Sequence, residues 1–157
     1  MMRIKLLKTK LNESKIPYAK IISEWNYKNI KFTMPNLIVD MMNDIFNIKN
    51  ETEEYTYLLC FSSQMSLIGI FELSHGAINC SICNSREVMF KALMCNSAKI
   101  AIVHNHPSGF SNCSNSDIAT AKEIKEAGKI MKLPMVDFII VGDNNFCSFL
   151  EQGLLDD

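Results

Sequence analysis

Histidine and tryptophan are scarce in this chain, three and one among 157 residues, and proline is almost as rare at four. No apolar stretch approaches the roughly 20 residues a membrane-spanning helix needs. The basic N-terminus is not followed by a continuous apolar segment, so it does not read as a secretory signal. A cytoplasmic location is the default expectation. An excess of charge is also missing. Lys and Arg number 16 against 17 Asp and Glu, a formal net charge of −1, which gives no global electrostatic reason to bind nucleic acid or an anionic membrane. The one local basic run, Arg3 to Lys10, reads as a solvated face or frayed tail sooner than as a binding patch. Internal repeats and low-complexity segments are lacking.

What is present suits a globular protein: 48% apolar and 21% charged residues, in a chain long enough for one domain with a core. Cys60, Cys80, Cys83, Cys95, Cys113 and Cys147 are expected to be mostly reduced thiols, several of them buried. Residues 1–17 carry little pattern and read as a loose N-terminal arm. Tyr18–Trp25 and Asn29–Thr33 alternate as two short strands would. Residues 34–50 read as a helix with Pro35 in its first turn. Tyr55–Phe61 and the run 65–74 suggest a hairpin. Ser85–Ser97 suggests an amphipathic helix. The run 99–106 reads as a strand buried on both faces. Residues 115–131 form the next helical pattern, with Gly128 weakening its last turn, and two strands close the chain at 135–143 and 145–150. This order argues for an α/β sandwich on a mixed sheet.

The scarce histidines are not scattered. Two stand one residue apart in IVHNHPSGFSNCSNSD, Ile102 to Asp117, where an apolar run ends. On a strand, residues i and i+2 point to the same side, so His104 and His106 can reach one ion. Pro107 ends the ladder because it has no N–H to donate, and Ser108 and Gly109 permit a sharp bend. Ser114 is a good N-cap residue, and Asp117 lies at N3 behind it, a capping-box-like pair. The first turn of a helix favours an anion, and a metal ligand must be deprotonated. Two imidazoles and a carboxylate suit zinc with an open fourth position, the arrangement of catalytic sites. The plainer reading of H-x-H alone is a surface or hydrogen-bonded pair; the P-S-G bend and the spaced Ser114 and Asp117 move the balance to metal.

The pattern H-x-H-P-S-G followed by S-x-x-D resembles the JAMM signature of JAB/MPN-type metalloproteases, specifically the bacterial RadC-like branch. It reads His104-Asn105-His106-Pro107-Ser108-Gly109, then Ser114-Asn115-Ser116-Asp117, with seven residues between His106 and Ser114. The helix and strand before it (85–109) and the segments 123–143 and 148–155 are similar to the family's as well, so the resemblance covers about residues 18–156. It implies a three-layer-like αβα domain of JAB/MPN (cytidine-deaminase-like) type over 18–157, after an arm of 1–17. It implies a zinc-dependent hydrolase that cleaves a peptide or isopeptide bond, with Zn2+ on His104, His106 and Asp117. A glutamate before an earlier strand would be the base. The best match is Glu54, with its neighbour Glu53 as the alternative. In such sites zinc lowers the pKa of water towards about 7, and the carboxylate takes its proton. Ser114 is similar to the family's serine, whose hydroxyl would meet the developing oxyanion; its other role is the N-cap alone. The implied partner is a peptide or protein substrate. No oligomeric state follows.

The chain departs from the family pattern in places. Cys113 stands where a proline is usual, which brings a thiol to the loop. Phe138 follows Asp137 where a histidine is typical, and Ser85-Arg86-Glu87 replaces Pro-Arg-Glu. Longer relatives carry an N-terminal helix-hairpin-helix region, for which this chain is expected to be too short. Other motifs mislead. The adjacent letters HNH only spell a nuclease name. Cys80-x-x-Cys83, without a second pair, reads as two buried thiols, and His75 as a turn residue. A zinc deaminase would show H-x-E and P-C-x-x-C, and neither is present. The rival function is an accessory protein of DNA repair or mobile-element maintenance that binds DNA or a repair partner. The family's name suggests it, and the near-neutral charge lends it little support.

Overall fold

A computed structural model of the protein describes residues 1–76 and 83–156. Its strands are β1 (Met2–Leu11), β2 (Pro17–Tyr27), β3 (Tyr55–Phe61), β4 (Leu67–His75), β5 (Lys99–Asn105), β6 (Met135–Val141) and β7 (Phe146–Ser148). The helices are α1 (Pro35–Phe46), α2 (Ser85–Met94) and α3 (Asn115–Met131), with a short 3-10 turn at Ile48–Asn50. The strands form one mixed sheet in the order β2-β1-β4-β3-β5-β6-β7. Alternation along the central strands sends side chains to two cores. Tyr57, Leu59, Phe61, Ala101 and Val103 meet Ile38, Met41 and Met42 of α1. Leu58, Cys60, Ile100 and Ile102 meet Val88 and Ala92 of α2 and Ala121 and Ile124 of α3. The result is the α/β architecture expected, a sheet with helices on both faces.

Two expectations need correction. Residues 2–11 are not a loose arm. They form β1, antiparallel to β2 along its whole length and parallel to β4 at Leu6–Ile70 and Leu7–Phe71. The pattern is weak because β1 serves both cores: Ile4 joins the α1 side and Leu7 the other. Asn29–Thr33 is not a strand. It is an irregular connection anchored by Phe32, whose N–H donates to the Met65 carbonyl at 3.0 Å and whose ring lies 6.0 Å from that of Phe61.

Gly128, which by propensity alone should weaken α3, has a packing role. A β-carbon there would meet the Leu133 carbonyl at 2.4 Å. The glycine lets the chain fold back, with the Leu133 N–H donating to the Gly128 carbonyl at 2.8 Å. The return leads directly into β6, which runs parallel to β5. This β5–α3–β6 crossover places the end of β5 beside the first turn of α3. Cys60, Cys83, Cys95, Cys113 and Cys147 are free thiols; Cys80, and with it the Cys80-x-x-Cys83 reading, lies outside the described residues. Among the described residues, no helix is long and apolar enough to cross a membrane.

Candidate metal centre

The centre is assembled from strand parity. Glu54 and Thr56 share one face at the start of β3, and His104 and His106 share the same face at the end of β5, because β3 and β5 are antiparallel with Thr56 opposite His104. His104 is 1% exposed. The ligand-type atoms of Glu54, His104 and His106 lie within 4.8 Å of one another. Asp117 joins from α3: its Oδ2 is 3.6 Å from His106 Nε2. Glu54 Oε2 is 3.7 Å from His104 Nε2. Glu53 turns away; it is exposed, and its carboxylate faces Gly76 instead.

Hydrogen bonds decide the tautomers. His104 Nδ1 lies 2.9 Å from the Tyr55 carbonyl, and His106 Nδ1 lies 3.0 Å from the Phe110 carbonyl. A carbonyl can only accept, so each Nδ1 carries its hydrogen, and a ring in its neutral form presents a bare Nε2 lone pair. Thr56 Oγ1 supports the same His104 nitrogen at 3.1 Å. Burial pushes the His104 pKa below its ordinary value, against the pull of the Tyr55 carbonyl, so the ring is held neutral. Each Nε2 faces a carboxylate oxygen at 3.6–3.7 Å, which for the neutral His104 ring sets acceptor against acceptor. His104 Nε2 and Asp117 Oδ1 are buried without a hydrogen-bond partner. Buried acceptors left this way cost about 1–3 kcal/mol each unless something positive stands between them. Nitrogen and oxygen ligands on one tetrahedral zinc lie about 3.3 Å apart, from bond lengths near 2.0–2.1 Å. Glu54, His104 and His106 and their spacing therefore fit a divalent cation, with Asp117 beside His106 at the margin of that group.

Ser114 and Asp117 form the capping box that the spacing suggests. The Asp117 N–H donates to Ser114 Oγ at 3.1 Å, and both the Ser114 N–H and hydroxyl donate to Asp117 Oδ2 at 2.7 Å. The Ser114 hydroxyl hydrogen is thus directed at Asp117, and an oxyanion role would require it to turn. Burial is the main cause raising the Glu54 carboxyl above its usual range, with the His106 ring opposing and Asp117 adding to it. Cys113 is half-buried beside Cys147 along a cleft and is not part of the donor cluster among the described residues. Asp137, next to the family-pattern departure at Phe138, is buried and accepts from the Phe138 and Leu150 N–H groups and the Ser148 hydroxyl. Sequence reasoning missed Thr56 and the two orienting carbonyls; main-chain acceptors carry no residue-type signal.

Fold and site together define an α/β domain with a candidate metal centre where a central strand ends and a helix begins. The RadC-like JAB domain matches residues 32–154, and the chain belongs to that family. A UPF0758 protein of Pelobacter propionicus is 35% identical over 125 residues, covering 80% of this chain and 54% of that protein. One of Clostridium beijerinckii is 35% identical over 127 residues, covering 81% and 55%. One of Staphylococcus aureus (strain NCTC 8325) is 38% identical over 128 residues, covering 82% and 58%. The chain spans about half the length of the curated relatives it matches.

Proposed function

We propose that this domain is a zinc-dependent hydrolase that cleaves an amide bond, in a peptide or an isopeptide linkage. The observation that carries the reading is the pair of imidazoles whose Nδ1 hydrogens are committed to carbonyls, turning both Nε2 atoms towards carboxylates. His104, His106 and Asp117 would hold the cation. When bound, it supplies Lewis-acid polarisation of a carbonyl and acidifies water at neutral pH. The remaining work falls to the chain. Glu54, its carboxyl raised by burial, accepts the proton of the attacking water and returns it to the departing amine. A carboxyl shifted towards neutrality is better matched to moving a proton in both directions. Thr56 and the Tyr55 carbonyl keep the His104 ring oriented. The Asp117 carboxylate is held by the Ser114 N–H and hydroxyl, which suits a fixed anionic ligand.

The test is metal content of the purified protein, read with circular dichroism. About one zinc per chain is expected, lost in both His104→Ala and Asp117→Ala while the far-ultraviolet spectrum persists. A wild-type protein that takes up no divalent ion from a zinc-supplemented buffer would overturn the reading.

A further inference from the structure

We infer that Asn105, the residue between the two histidines, is a positioning residue that locks Glu54 to His104. This rests on the reading of Glu54 as the proton carrier beside a bound cation. The last registered pair of the β3–β5 ladder is Thr56–His104. One step further, Tyr55 would face Asn105, which on its other side is in register with Val141 of β6. At that step the Asn105 side chain bonds to the segment that leads into β3. The Tyr55 N–H donates to Asn105 Oδ1 at 2.6 Å, and Asn105 Nδ2 donates to the Glu53 carbonyl at 3.0 Å.

These two bonds fall on either side of Glu54. The Glu54 carbonyl is taken by the Gly76 N–H at 3.0 Å, and the Tyr55 carbonyl by His104 Nδ1 at 2.9 Å. One peptide segment therefore carries Glu54, is gripped by the Asn105 amide and orients the His104 ring. A primary amide can accept and donate at once; aspartate offers no donor and alanine neither. Asn105 is 1% exposed, so water cannot replace either bond cheaply. Strand parity points Asn105 to the face opposite its histidine neighbours. It holds the segment from behind and touches no donor atom of the centre.

The role is tested by a double-mutant cycle on the full chain, with Co2+ alone as the probe, its visible absorption titrated in wild type, Glu54→Gln, Asn105→Ala and the double variant. The Glu54 charge beside His104 favours a cation, so Glu54→Gln weakens Co2+ binding. Residues that orient the groups around a metal typically cost about 10–100-fold when removed; we expect Asn105→Ala to weaken Co2+ about tenfold, and clearly less than that in the Glu54→Gln background, where only the His104 ring remains to be disturbed. Tyr55 amide hydrogen exchange should rise in Asn105→Ala and not in Glu54→Gln. A merely structural residue would lower the melting temperature and give an additive cycle. If Asn105→Ala does not fold, Asn105→Ser, too short to make both bonds, carries the same cycle. An additive cycle, or wild-type Co2+ affinity without Asn105, overturns the positioning role and leaves the metal centre standing. Failure of the wild-type chain to bind Co2+ overturns both.

Discussion

A hydrogen on one ring nitrogen determines what this centre can be. Two main-chain carbonyls, of Tyr55 and Phe110, place that hydrogen on Nδ1 of each histidine. Thr56 Oγ1 is a second neighbour of the buried ring, not the one that sets its tautomer. Thr56→Val should therefore leave His104 in the same form, at a stability cost of about 1 kcal/mol for the lost hydroxyl contact. Long-range nitrogen–proton NMR correlations of the metal-free protein read this directly. A bare Nδ1 on His104 in wild type would refute the acceptor-against-acceptor geometry. The histidine pair stood out in the sequence because histidine is rare here, and Asp117 because of its fixed spacing behind Ser114. Thr56 and the carbonyls were not, because nothing in a residue's identity says which carbonyl will lie under an imidazole.

At the scale of an element, capping and buried carboxylates set the ends. The Ser114–Asp117 capping box was readable, since it is local and obeys a four-residue rule. Asp137 was not. It sits in β6 and reaches across to β7 and the turn after it, accepting three hydrogen bonds. Burial still raises its carboxyl above the ordinary 3.8, with the three hydrogen bonds opposing. A carboxyl raised on folding binds its proton more tightly in the native state. Its stabilising contribution is full below the unfolded value and is lost as pH climbs through the folded one. At pH 7 the charge is a cost. Asp137→Asn should keep the Phe138 and Leu150 bonds on Oδ1 and donate through Nδ2 to Ser148. We expect it to be as stable as wild type at pH 7 or more stable by up to about 1 kcal/mol, with a flatter stability profile from pH 4 to 7. Urea denaturation across that range tests this, and a loss of about 2 kcal/mol or more at pH 7 would contradict it.

At the scale of the molecule, the β1–β2 hairpin lies outside the family match, which begins at residue 32. It nonetheless belongs to the same sheet and core. Trp25 packs edge-on against Phe46 at 5.3 Å, Phe46 stacks on Tyr57 at 4.9 Å, and a β-carbon on Gly69 would strike the Leu7 side chain at 2.4 Å. Removing residues 1–27 would open the β4 edge and uncover these rings. Light scattering after size exclusion should show self-association or loss of the folded peak. A monodisperse, equally stable truncated domain would show that the hairpin is an accessory.

Sequence alone determined the layered α/β class and the three helices, and it singled out His104, His106, Ser114 and Asp117. Each of these rests on periodicity or on neighbours within about a dozen residues, where chain geometry leaves few alternatives. Tertiary structure decided the rest. It turned Glu54, already favoured over Glu53, to the histidines, because strand parity and the pairing of β3 with β5 bring only one of the two to that face. It made residues 2–11 a strand, because their apolar side chains divide between two cores and show no single face. It also set Asn105 behind the site, a placement that depends on two strands about fifty residues apart meeting in one register.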